Sequence, residues 1–136
     1  MAACLFCSIV SGDAEGFHVA STPEAMAFLD IRPVFKGHVL VVPREHHVVL
    51  GDLPAALLAP YFAFVQRLSL AVEDGLGAGG TFVAMNNRVS QSVAHLHTHV
   101  VPRTKGDGLR GFFWPRTKYD SDAEAASYAA KIATAL

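Results

Sequence analysis

The chain predicts an α+β domain: a mainly antiparallel five-stranded sheet with one long helix and a C-terminal helix. Three features lead there. Short β-branched runs follow one another across tight turns. One long stretch of helical periodicity separates the early runs from the late ones. An alanine-rich segment with a helix-start signal closes the chain. In order, residues 17–22 and 25–30 read as two strands around Pro23-Glu24. Residues 37–42 form a third, ended by Pro43. Asp52 is placed to cap a helix from about 54 to 74, whose Leu57, Leu58, Tyr61, Phe62, Val65, Leu68 and Val72 recur at helical spacing. Pro60 is expected to part its first turn from the rest. Glycines in 75–80 end it, residues 81–86 are the fourth strand, and the run through His95 and His99 is the fifth. Ser121-Asp122-Ala123-Glu124 is a capping box opening a helix to about Thr134. No repeat or linker divides residues 1–136, so one domain is expected.

With 136 residues the chain can bury a core, and 51% apolar against 17% charged residues excludes a disordered class. A net charge of −1 argues against a nucleic-acid polymer or an anionic membrane as partner. No apolar run is expected to reach the ~20 residues of a spanning helix. The N-terminus lacks a charged n-region and a long h-region, so a cytoplasmic location is expected. Cys4 and Cys7 are the two cysteines. C-x-x-C in a reducing compartment points to redox chemistry or half of a metal site. Nothing upstream supports a thioredoxin-like arrangement, so half a zinc site is the better reading, with histidine completing it.

The densest chemistry lies in Ser90-Gln91-Ser92-Val93-Ala94-His95-Leu96-His97-Thr98-His99-Val100-Val101-Pro102-Arg103. Three of seven histidines alternate within five positions of a strand-like run, so all three point to one face while Leu96, Thr98 and Val100 point to the other. Neighbours on that face stand ~6.5–7 Å apart, so two can reach one metal more easily than three. A division of labour follows: one end histidine for a metal, the others for a substrate. A neutral imidazole is a competent nucleophile near pH 7, and attack on phosphorus would give a phosphoramidate. Ser92 and Gln91, in the approach loop, are placed to hydrogen-bond phosphoryl oxygens.

The string Gln91-Ser92-Val93-x-His95-x-His97-x-His99-Val100-Val101-Pro102-Arg103 resembles the signature of the histidine triad (HIT) family of nucleotide hydrolases and transferases. Phe28-Leu29-Asp30-Ile31-Arg32-Pro33 with Gly37-His38-Val39-Leu40-Val41-Val42-Pro43 is similar to the family's second block, and Leu5-Phe6-Cys7-Ser8-Ile9-Val10 to its opening in zinc-bearing members. The resemblance spans residues 4–103. It implies that His97 attacks the α-phosphorus of a nucleotide, forming a covalent nucleotidyl-histidine that water or another acceptor resolves. It implies that His99 contacts the phosphate, His38 lies beside the triad as a fourth histidine, Ser92 hydrogen-bonds the leaving group and Gln91 the phosphate region. Asp30 would accept both ribose hydroxyls, Asn86 or Asn87 would contact substrate, and Phe6, Phe28 and Ile31 would wall a purine base. Cys4, Cys7, His46 and His95 would hold a structural zinc ion, with His47 as the substitute for His46. A two-fold homodimer is also implied, its interface using the long helix and a strand edge.

Departures limit the transfer. The family's loop before Gly-Gln contains glycine; Asn86-Asn87-Arg88-Val89-Ser90-Gln91 contains none. Arg88 could therefore meet a polyphosphate tail or solvent. Phe112, Phe113, Trp114, Arg110 and Arg116 lie beyond the shared blocks, where the aromatics could cover the site, meet a twin subunit or fill core. Three functions compete. The first is a nucleotidyl hydrolase or transferase acting on nucleoside phosphoramidates or dinucleoside polyphosphates. The second is a nucleotide-sensing module with little turnover. The third is a zinc hydrolase with the triad as ligands.

Overall fold

Three consecutive strands, β1 (His18–Ser21), β2 (Ala25–Leu29) and β3 (Val39–Pro43), form a meander, and β5 (Thr98–Arg103) joins beside β3 with β4 (Gly80–Ala84) outside it. The sheet order is β1-β2-β3-β5-β4, and every neighbouring pair is antiparallel. This computed structural model describes residues 3–109 and 116–136. They fall into two compact units, Met1–Lys105 and Gly106–Leu136. Arg110, Phe112, Phe113 and Trp114 lie outside the described residues; Arg116 is exposed.

The two sheet faces do different jobs, because side chains alternate along each strand. One face sends Ala25, Ala27, Val39, Val41, Leu96 and Val100 against helix α2 (Ala55–Leu76). That helix answers with Tyr61, Phe64, Val65, Leu68 and Val72. Buried Tyr61 donates its hydroxyl proton to Val41 O at 2.8 Å and lies 2.7 Å from Thr98 Oγ1. The other face carries Phe28, Leu40 and Val42 and packs against Phe6.

Several sequence expectations need correction. Pro60 does not interrupt α2, which runs unbroken for 22 residues. The amide that proline lacks would have met the carbonyl of Ala56, on an exposed turn that water can satisfy. Asp52 does not cap α2: the cap residue is Pro54, while Asp52 Oδ2 accepts the Val49 amide at 3.2 Å in the 3₁₀ turn Leu50–Asp52. By length and composition α2 could cross a bilayer, contrary to expectation. Its Tyr61–Val72 face is instead occupied by the sheet. The N-terminus is a helix, α1 (Leu5–Ser11), with Cys4 Sγ accepting the Cys7 amide at 3.5 Å. The histidine run is only partly strand. The ladder starts at Thr98, so His99 lies in β5 while His95 and His97 precede it. There the Leu96 amide bonds to His47 O at 2.6 Å instead of to a strand neighbour.

The second unit holds α3 (Asp122–Thr134), started as predicted: Ser121 Oγ accepts the Glu124 amide at 3.1 Å. Glu124 Oε1 accepts the Asp120 amide at 2.9 Å, one residue earlier than a strict capping box.

Candidate active site and metal centre

The alternation expected of the histidine run survives its irregular start. Leu96 and Val100 are in the α2 cluster and Thr98 meets Tyr61, which leaves His95, His97 and His99 to the α1 side. His97 and His99 have ring centroids 5.1 Å apart. Phe6 from α1 lies edge-on to both His97 and His95, at 5.1 and 6.0 Å.

Main-chain carbonyls set the tautomers of the first two rings. A carbonyl only accepts, so the imidazole nitrogen facing it carries the proton. His95 Nε2–H therefore donates to Pro43 O at 2.8 Å, leaving Nδ1 with a lone pair. His97 Nδ1–H donates to His95 O at 2.7 Å, leaving the lone pair on Nε2. Among the described residues nothing bonds the second nitrogen of His97, the predicted nucleophile.

The lone pair of His95 meets the cysteines. Its Nδ1 is 3.5 Å from Cys4 Sγ and 3.4 Å from Cys7 Sγ, and His46 Nδ1 is 3.3 Å from Cys7 Sγ. All four donor atoms lie within 4.8 Å of one another. Tetrahedral zinc with thiolates at ~2.3 Å and imidazoles at ~2.1 Å separates sulfur from nitrogen by ~3.5 Å, so this Cys₂His₂ set fits the ion. Burial pushes the Cys7 thiol up and holds His95 below the usual histidine range. A divalent cation at this point would favour thiolate and neutral imidazole. Among the described residues His46, not His47, joins the cysteines; His47 Nε2 lies 3.5 Å from Glu45 Oε2.

Beside this cluster is a cavity of about 390 Å³. Phe6, Phe28 and Ile31 line it together with Asp30, Ser92, His97 and His99. The sequence missed its remaining apolar wall, Leu5 and Ile9 of α1, Leu29 of β2, Leu40 of β3 and Val93. For Leu5 and Ile9 the signal was the apolar spacing within 5–10, which only an α1 assignment would have used. Asp30 Oδ1 accepts the Arg32 amide at 2.8 Å, and its carboxylate stands 3.8 Å from His38 Nδ1. Gly37, at φ +98°, turns the chain into β3 just before His38; a Cβ there would strike Leu76. His38 does not line the cavity; it stands behind His99, Nε2 to Nδ1 at 2.9 Å. Burial is the main cause holding His38 below the ordinary histidine range and His99 at about 4.

Two expected contacts stand away from the cavity wall. Gln91 Nε2 donates to Val48 O at 2.6 Å and its Oε1 accepts the Arg88 amide at 3.1 Å. Asn86 is exposed and does not line the cavity, while Asn87 Oδ1 accepts the Leu50 amide at 2.8 Å. Where the family's glycine was missing, Arg88 and Ser90 adopt positive φ of 69° and 61°.

The HIT domain family matches residues 11–106. The adenosine 5'-monophosphoramidase hnt1 of Schizosaccharomyces pombe is 36% identical over 114 residues, covering 82% of this chain and 83% of that protein. A crystal structure of a HIT family member from Bacillus subtilis superposes with a TM-score of 0.87 at 32% identity, covering 98% and 96% of the two chains. The crystal structure of a Zn-bound histidine triad family protein from Mycobacterium smegmatis superposes with a TM-score of 0.74 at 38% identity, covering 98% and 97%.

Proposed function

Because the chain belongs to the HIT family, we propose that it cleaves nucleoside 5'-phosphate derivatives, foremost phosphoramidates, through a nucleotide bound covalently to His97. One observation carries this reading: the His97 ring lines the cavity while its Nδ1 is committed to the His95 carbonyl, so Nε2 is available. The Nε2 lone pair attacks the α-phosphorus, and the bond to the leaving amine breaks. The departing group is hydrogen-bonded by Ser92, exposed at the cavity mouth, and takes its proton from solvent. Water then attacks the same phosphorus, the P–N bond to His97 breaks, and the nucleotide leaves. His99 supplies a hydrogen bond to the phosphoryl oxygens. Asp30 accepts the ribose hydroxyls, and the purine lies against Phe6, Phe28 and Ile31. Gln91 and Asn87 serve the substrate indirectly, by the bonds to Val48, Arg88 and Leu50 that hold the loop ahead of the triad, and exposed Asn86 is left to meet the substrate from outside the cavity wall. Dinucleoside polyphosphates are the second substrate class, and transfer to an acceptor other than water uses the same intermediate.

Zinc would be held by Cys4, Cys7, His46 and His95, where its four protein ligands leave no open position and its contribution is structural. Residues 1–136 are taken as one HIT-like domain, working in the cytoplasm as a homodimer. Exposed Leu58, Phe62 and Leu70 on α2 support the dimer.

Adenosine 5'-phosphoramidate hydrolysis tests the activity. The parent should turn over, and His97→Asn should bind adenosine monophosphate yet lose turnover by about 10³-fold or more. Nucleotide binding without turnover by the parent would make this a sensing module instead.

A further inference from the structure

We propose that the main-chain amide of Val34, acting through His38, fixes the ring proton of His99 on Nε2, so that neighbouring His97 and His99 present opposite chemistry to the cavity, a lone pair and a donor. Its catalytic consequence rests on the function proposed above; the proton placement does not.

The Val34 N–H donates to His38 Nδ1 at 3.1 Å. An N–H cannot donate to a protonated nitrogen, so His38 Nδ1 carries no proton and Nε2 carries the one a neutral ring has. That nitrogen is 2.9 Å from His99 Nδ1, which must then accept. The remaining ring proton of His99 is left on Nε2. Asp30 pulls the other way, because its carboxylate favours a proton on His38 Nδ1. At 3.8 Å it is beyond hydrogen-bond reach while the amide is within it, so the amide wins. Burial keeps both rings neutral, which the one-proton count requires.

The loop that presents the amide is itself held. Asp30 N–H donates to His38 O at 2.9 Å, His38 N–H to Phe35 O at 3.0 Å, and Arg32 N–H to Asp30 Oδ1 at 2.8 Å. The Val34 side chain is exposed and takes no part. On the neighbouring ring the His95 carbonyl imposes the reverse tautomer on His97. Without the lock, His99 would spend part of its time with a lone pair toward the phosphoryl oxygens, which repels them. Val34 and His38 are positioning residues in this scheme; neither needs to touch substrate.

Long-range ¹⁵N–¹H correlation spectra of the ligand-free, full-length protein with labelled histidine test it. His99 should be protonated at Nε2 and bare at Nδ1, and His97 the reverse. Val34→Ala should keep this pattern, since the amide stays. Val34→Pro and His38→Leu should each give His99 mixed tautomers. His38→Gln should restore the parent pattern, because its amide accepts at one end and donates at the other. With adenosine 5'-phosphoramidate, kcat should fall about ten- to a hundred-fold in Val34→Pro and His38→Leu with little change in KM, and recover in His38→Gln. A parent spectrum with the His99 proton on Nδ1 overturns the proposal, as does a parent pattern persisting in His38→Leu. The predicted tautomers in a protein that never hydrolyses the phosphoramidate would overturn the function and leave the proton assignment standing.

Discussion

The ring of Phe6 stands edge-on to the ring of His97, centroids 5.1 Å apart and planes at 83°. Phe6 belongs to α1, a helix of seven residues that could not persist alone in water. Two things hold it: burial of Phe6 against Phe28, Leu40 and Val42, and the Cys4/Cys7/His46/His95 cluster. The same helix supplies Leu5, Phe6 and Ile9 to the cavity wall. Loading the protein with zinc and then stripping it with a chelator under reducing conditions should therefore raise and then lower Tm, and strengthen and then weaken adenosine monophosphate binding. Thermal scans and titration calorimetry read the two effects, and an affinity unchanged after complete metal loss would contradict the coupling.

Tyr61 ties α2 to both central strands through Val41 O and Thr98 Oγ1. Burial pushes its phenol well above the ordinary range. Tyr61→Phe leaves the buried Val41 carbonyl without this donor, and should destabilise the fold by about 1–3 kcal/mol. Urea unfolding should show a lower midpoint at an unchanged m value.

The loop ahead of the triad carries conformations suited to glycine on Arg88 and Ser90. Ser90→Gly relieves one of them and should raise stability by about 1 kcal/mol, a small net gain after the extra chain entropy of glycine. A destabilised Ser90→Gly protein in equilibrium unfolding would show that the side chain contributes more than the strain costs.

Acid should weaken the fold through His99. Its ordinary value of 6.5 is lowered to about 4 in the folded chain, and His38 is lowered as well. As pH falls below 6.5 the unfolded chain binds protons that the folded chain does not yet accept, so stability drops down to about pH 4. Urea unfolding at steps from pH 7 to 4.5 should give a steeper loss for the parent than for His99→Gln. Equal slopes would remove His99 from the acid response.

Local signals carried much of this architecture. The five strands, α2 and the Ser121 start of α3 follow from β-branched runs between turn residues, from helical spacing and from a side chain that caps. What escaped depends on main chain or on distant partners. Helix α1 begins at a cysteine, which is no usual cap, and is held by tertiary contacts. Pro60 passed within α2 because its carbonyl partner faces water. The choice between adjacent His46 and His47 turned on where the Leu96 amide and Glu45 lie. Arg88 and Ser90 took on glycine's backbone geometry, and no sequence pattern announces that. The carbonyls of Pro43 and His95 and the amide of Val34 bear on which ring nitrogen carries the proton, yet a backbone group looks alike at every position.

The most direct test is to mix the protein with adenosine 5'-phosphoramidate, quench within the first turnovers, and locate any added mass by peptide mapping. One adenylyl group on His97, absent from His97→Asn, is the predicted result. Steady turnover with the adduct on another residue, or undiminished turnover by His97→Asn, would contradict the account.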